Sequence, residues 1–239
     1  NTPGVVDKYI NHGEKHFFII VDLNNLVERE VQPFWVLVFK RLVDSLEKSE
    51  LDASVKEDIK KLFSDAISSK DVFLTIEYLR NALNAIVKAG LMPTIFLLRL
   101  DRLKDVFNED FFGNLEGIVD ATDQKLSYVF TTFRPLEEID PVHFEKKFLT
   151  LFSHKIYIKP AGDVDTKIIY KTFEKKYGLN LEEKMLSQVL DLCMGHVQYL
   201  QLSLIILNSK MKEGIVEAGN LLTTIVSDER VNLLSEEIW

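Results

Sequence analysis

Three places in the chain carry residue types suited to metal or phosphate chemistry. Asp101 follows the apolar run Thr94-Ile95-Phe96-Leu97-Leu98-Arg99-Leu100, which Pro93 introduces. A carboxylate at the carboxyl end of a buried parallel strand lies beside the crevice where open α/β sheets bind ligands. There it could hold the Mg²⁺ that bridges nucleotide phosphates. Its plainer role is to cap the short turn 102–106, and the strand alone favours neither. Thr132 and Arg134 follow a second apolar run, in Thr131-Thr132-Phe133-Arg134-Pro135-Leu136. An arginine at a neighbouring strand tip can pair with a phosphate oxygen and report its presence. Its plainer role is a surface-loop ion pair, with Pro135 setting the turn. Gly195 ends one helical stretch and His196 opens the next. Glycine there permits a close backbone approach; the plainer reading is a helix stop followed by a capping or surface imidazole.

Other chemistries lack their residues. The sequence contains no G-x-x-x-x-G-K-[ST], no G-x-G-x-x-G and no H-E-x-x-H. His12, His16, His143, His154 and His196 show no ligand spacing, so no histidine metal centre is expected. Glu137-Glu138 and Glu182-Glu183 suit helix starts better than an acid–base couple. Cys193 is the one cysteine, so no internal disulfide can form. Its apolar surroundings predict a buried small residue rather than a nucleophile. No catalytic residue is assigned.

The elements that would position these residues alternate in type. Short apolar runs rich in β-branched and aromatic residues predict buried strands at 16–23, 94–100 and 126–132. A fourth, at 154–159, alternates and stops at Pro160, which places it nearer a sheet edge. Helical spacing covers 30–47, 54–68, 70–89 and 109–119, with Gly90 as a stop. Strands separated by helices predict right-handed crossovers and a mainly parallel sheet with helices on both faces. After Pro160 only helices are expected, at 164–177, 181–194, 196–209, 211–225 and from 228 onward, with Asp163 as the first N-cap and Gly178 as a stop. The fold class is therefore α/β, with a core over 1–160, a helical lid over 161–226 and a linker or winged-helix start over 227–239.

Bulk properties narrow the partners. The net charge of −8 argues against a nucleic-acid surface, which needs a basic stripe. The local lysine groups, Lys146-Lys147 and Lys171 with Lys175-Lys176, suit solvated helix faces. No apolar run approaches the roughly 20 residues of a membrane span. The start, Asn1-Thr2-Pro3-Gly4, does not have the form of a signal peptide. A cytoplasmic protein is expected.

In order, these parts resemble the AAA-like ATPases of the STAND group, over nearly the whole chain. The resemblance rests on Asn1-Thr2-Pro3-Gly4-Val5, the strand Phe17-Phe18-Ile19-Ile20-Val21-Asp22-Leu23, the pair Phe34-Trp35, and Phe111-Phe112-Gly113-Asn114-Leu115. It continues through Thr131-Thr132-Phe133-Arg134-Pro135-Leu136, the lid turn Gly195-His196-Val197, and the closing stretches Asp228-Glu229-Arg230-Val231 and Glu236-Glu237-Ile238-Trp239. It implies a three-layer P-loop core whose central first strand is missing here, with a helical lid behind it, the chain starting after the phosphate-binding helix. It implies ATP and Mg²⁺ as cofactors of the intact parent, with Asp101 at the metal, Thr132 and Arg134 at the phosphates, and Gly195 and His196 on the adenine side. Where the family has a metal-binding Asp and a catalytic Glu, this chain has Leu98 and Arg99; where it has a lid proline, Val197 stands. Those departures imply a nucleotide switch that does not hydrolyse. A partner protein, or self-association through the core, would read the switch. A non-enzymatic interaction scaffold and a DNA-handling ATPase of the origin-recognition type are the alternatives.

Overall fold

The computed structural model describes residues 13–144, 154–214 and 220–238. The expectations that fall on Asn1–Val5, on His12, on Lys146-Lys147 and on Trp239 lie outside them, as do the side chains of His143 and of Glu236 to Ile238. The chain divides into two compact units between His154 and Lys155.

The first unit is built on one three-stranded parallel sheet in the order β1-β2-β3, with β1 His16–Asp22, β2 Met92–Leu98 and β3 Ser127–Phe130. The register aligns Ile19 with Ile95 and Val21 with Leu97, then Ile95 with Tyr128 and Leu97 with Phe130. These residues share one face, because successive side chains of a strand alternate. On β1 and β2 that face is fully buried. Three helices link β1 to β2: α1 Val31–Leu46, α2 Ala53–Ser69 and α3 Val72–Lys88. A 3₁₀ turn, Leu100–Val106, and α4 Glu109–Ala121 link β2 to β3.

Helix ends follow local chemistry. Asp71 caps α3 by accepting the Leu74 N–H at 2.9 Å, and Gly90 follows its end at φ +90°. Asn108 caps α4 by accepting the Phe111 N–H at 2.7 Å. Glu109 and Asp110 then complement the amino-terminal helix charge. Phe34 and Trp35 of α1 meet Phe111 of α4, with the Phe34 and Phe111 ring centroids 5.1 Å apart. Phe107, Phe112 and Phe144 extend the same aromatic cluster. Phe144 lies in α6, Pro141–Phe144, just after the short α5, Leu136–Ile139.

The strand order has a consequence for layering. Both crossovers advance in the same direction, and right-handed crossovers that do so lie on the same face. One continuous core accordingly joins α1, α2, α3 and α4 to Phe17, Ile19, Val21, Ile95 and Leu97. The opposite face presents Phe18, Ile20, Phe96 and Val129, of which Ile20 is 53% exposed and Val129 38%. The described residues of this unit thus make two layers, where helices on both faces were expected.

The second unit is helical: α7 Asp163–Tyr177, α8 Glu183–Cys193, α9 Val197–Lys212, α10 Leu221–Val226 and α11 Glu229–Ile238. Its core gathers Tyr170, Val189, Cys193, Leu200, Leu204, Leu207 and Ile225. The Tyr170 hydroxyl accepts the Leu181 N–H at 2.9 Å, which ties α7 to the segment leading into α8. Cys193 is buried, as its apolar neighbours predict, and its Sγ lies 3.7 Å from the Ser203 hydroxyl. The thiol is pushed up by burial, which suits an inert core residue.

Three expectations are corrected. Residues 154–159 form no strand, and Ile156, Tyr157 and Ile158 are exposed. Alternating apolar residues supply strand propensity, but a ladder also needs a paired edge. Asp163 is the first helical residue of α7 rather than its N-cap; Gly162 holds the cap position with no side-chain bond. β2 stops at Leu98, short of the expected Leu100.

The face assignment predicts unequal costs for two adjacent residues. Ile19→Ala should destabilise the protein by about 2–5 kcal/mol, whereas Ile20→Ala should cost no more than about 0.5 kcal/mol. Urea unfolding midpoints compare them; equal costs would mean that the second face is covered.

Candidate functional site

The carboxyl ends of the three strands are tied together by a few polar groups. β2 ends because Arg99 turns into the left-handed region at φ +62° and ψ +52°. Such a conformation costs a non-glycine residue on the order of 1–2 kcal/mol, so its surroundings must hold it. The Arg99 N–H donates to Thr131 Oγ1 at 2.9 Å, and the Leu100 N–H donates to the Thr131 carbonyl at 2.8 Å. The Thr131 N–H in turn donates to the Leu97 carbonyl at 3.0 Å. Leu100, the next residue, is fully buried and anchors the turn in the core.

The Arg99 side chain reaches the other way. Its Nη1 lies 2.6 Å from Oδ1 of Asp22, the last residue of β1. The register explains the meeting, because Asp22 is aligned with Leu98 and Arg99 follows directly. Asp22 Oδ1 also accepts the Asn24 N–H at 3.0 Å, capping the 3₁₀ turn Leu23–Asn25. The Asn24 N–H and then the Arg99 guanidinium hold the Asp22 carboxyl below the usual carboxylate range. Arg102 Nη1 donates to Asn24 Oδ1. The result is a solvent-accessible cluster of two guanidinium groups, one ionised carboxylate, an amide and a hydroxyl at the carboxyl end of a parallel sheet.

The residues expected from sequence fall around this cluster in different ways. Asp101 sits in the 3₁₀ turn rather than on a strand tip, with its Oδ1 buried and without a hydrogen-bond partner. It directly follows Leu100, which is bonded to Thr131, so Asp101 and Thr132 are each one residue from that bond. Thr132 is half-buried; Arg134 is exposed and forms no ion pair among the described residues. Gly195 and His196 belong to the second unit. Met194, at φ +45°, ends α8, and Gly195 follows at φ +78°. The close approach that Gly195 permits is to its own unit: its carbonyl accepts the Ala161 N–H at 2.8 Å, and an added Cβ would lie 2.4 Å from the Ala161 carbonyl oxygen. His196 caps α9, its Nδ1 accepting the Tyr199 N–H at 3.3 Å, and its ring meets that of Tyr199 edge-on. Both therefore have local structural roles.

Sequence reasoning missed Asp22, Asn24, Arg99, Arg102 and Thr131. Asp22 was open to discovery, because it closes the first apolar run much as Asp101 follows the second. Arg99 looked like a strand residue, and nothing in a linear pattern signals a left-handed arginine.

The resemblance implies Mg²⁺ at Asp101, and the described residues supply no preformed protein cage for it. No group of three or more His, Cys, Asp or Glu side chains among the described residues could hold a metal ion. The nearest carboxylate shown at the strand tips, Asp22, is already neutralised by Arg99 at 2.6 Å. Arg99 and Arg102 place two positive charges beside Asp22 and Asn24. The chain matches no family model, no curated protein and no solved structure. No helix among the described residues is long and apolar enough to cross a membrane.

Two outcomes test this geometry. Asp22 has a depressed carboxyl in the folded state, so its contribution to stability is complete above about pH 4 and is lost as pH falls through the folded value. Because each partner of the pair is 35% exposed, that contribution should be at most about 1 kcal/mol. Asp22→Asn should remove it and flatten the acid limb of a stability-against-pH curve. Gly195→Ala meets both a backbone clash and an unfavourable φ, and should cost at least about 1–3 kcal/mol in thermal or denaturant unfolding.

Proposed function

We propose that this protein is part of a nucleotide-dependent switch of the STAND/AAA+ type that binds ATP without hydrolysing it. The supporting observation is that Arg99 joins the tips of all three strands at the carboxyl end of a parallel sheet, its N–H bonded to Thr131 after β3 and its guanidinium to Asp22 of β1. That end is where open α/β sheets bind ligands. Leu98 and Arg99 stand where the resembling proteins carry their acidic pair, so no carboxylate there orients an attacking water. Nucleotide would be held at the strand tips, and a partner protein would read the change in population between bound and free forms.

A second reading has one specific observation in its favour. The half-exposed apolar face of Phe18, Ile20, Phe96 and Val129 suits a protein-interaction scaffold that has lost its nucleotide chemistry.

Isothermal titration of the full-length protein with ATP separates the two. The switch reading expects saturable binding at or below millimolar ATP, with no phosphate release over hours. Absence of binding at millimolar ATP, with or without Mg²⁺, removes it and leaves the scaffold.

A further inference from the structure

The pairing of Arg99 with Asp22 goes further than the switch reading on which it rests. We infer that Arg99 is the phosphate-binding cation of this crevice and that Asp22 is its resting counter-ion, so that the anionic ligand is taken without Mg²⁺. The ligand class is a di- or triphosphate, free or as part of a nucleotide.

Four features carry this. First, the guanidinium is a fork of five donors, and among the described residues only Nη1 is engaged, by a single oxygen of Asp22. The remaining donors match the two-point geometry in which arginine holds phosphate. Second, both partners are about one-third exposed, so the pair opens to solvent and a ligand can reach it. An ion pair so placed is weak, and displacing it changes the binding constant by only about fivefold. Third, the backbone that carries the guanidinium does not move with it. The Arg99 N–H is bonded to Thr131 Oγ1, and Leu100 is buried on the next residue, so an exchange of counter-ions needs only side-chain motion. Fourth, Arg102 stands beside the pair on Asn24. Arg99 and Arg102 thus set two positive charges against the one ionised carboxylate of Asp22, and a multivalent phosphate gains more from that field than the single charge of Asp22 does. A dication would enter the same field against repulsion. The binding step is an exchange of ion pairs: phosphate oxygens accept from the Arg99 guanidinium, and Asp22, ionised at neutral pH, returns to water and its Asn24 N–H. No covalent bond forms or breaks.

The test is calorimetric titration of the full-length protein with inorganic pyrophosphate and with ATP, each in EDTA and in excess Mg²⁺. Binding in EDTA should be at least as tight as in Mg²⁺. Arg99→Gln should weaken it about tenfold or more, and Arg99→Lys, which keeps the charge without the fork, should weaken it less. Asp22→Asn should tighten it by about two- to fivefold, since the competitor is gone; a merely structural ion pair would give no gain. Circular dichroism checks that each variant is folded, and the Asp22 and Lys variants carry the decision if Arg99→Gln is not. Binding that requires Mg²⁺, survives Arg99→Gln and is lost in Asp101→Asn would overturn this inference while leaving the nucleotide switch in place. Binding of neither probe under any condition would remove both.

Discussion

Parallel pairing constrains this molecule more than any single contact. A parallel strand reaches its neighbour only through a crossover, and here the strands advance β1, β2, β3 without reversing. Handedness then sends every connecting helix to the same side. That one rule accounts for the single continuous core of the first unit, for the complete burial of Ile19, Val21, Ile95 and Leu97, and for the half-exposed row on the reverse. It also sets all carboxyl ends at one edge of the sheet, the edge at which open α/β sheets bind ligands.

At that edge the chain accepts local strain in return for order. Arg99 adopts a backbone conformation unfavourable to its own side chain, yet both its neighbours and its head group are fixed: Leu97 and Leu100 through Thr131, the guanidinium through Asp22. Strain of this sort persists only where the surroundings over-determine it, and such places cluster at ligand sites. A strand that simply continued to Leu100 would have carried Arg99 in the pleat, on the face opposite its neighbours. The left-handed turn instead frees the side chain to cross to the β1 tip.

Much of the fold was legible because burial leaves a periodic trace. The helices over 31–46, 53–69 and 72–88 announce themselves by four-residue apolar spacing, and Gly90 and Gly178 stop their helices as expected. The runs containing Ile19, Ile95 and Val129 mark strands for the same reason. What stayed hidden depended on partners distant in sequence. The stretch Ile156-Tyr157-Ile158 looks like a strand, yet it lacks a ladder, since propensity cannot supply an edge. The layering was misjudged because a one-dimensional pattern does not reveal strand order, and only order decides which face the helices take. Within the site, Asp101 and Thr132 each follow a residue of the Leu100–Thr131 bond, while the Asp22–Arg99 pair joins positions 77 residues apart and left no local signature.

The half-exposed sheet face constrains the kind of connection that could lie over it. Parallel sheets occur almost only with both faces covered, and here Phe18, Ile20, Phe96 and Val129 line the second face within the described residues. Phe18 and Phe96 shield one another in part, their ring centroids 5.9 Å apart in an edge-on arrangement. Covering this face with right-handed connections would require the chain to reverse its direction across the sheet, entering from beyond β3. A reversal of that kind creates a switch point beside the β3 tip, where Thr132 and Arg134 lie. Within the described residues, the half-exposed face and the polar strand ends are therefore linked by one topological cause: whatever buried the first by such a connection would also wall in the second.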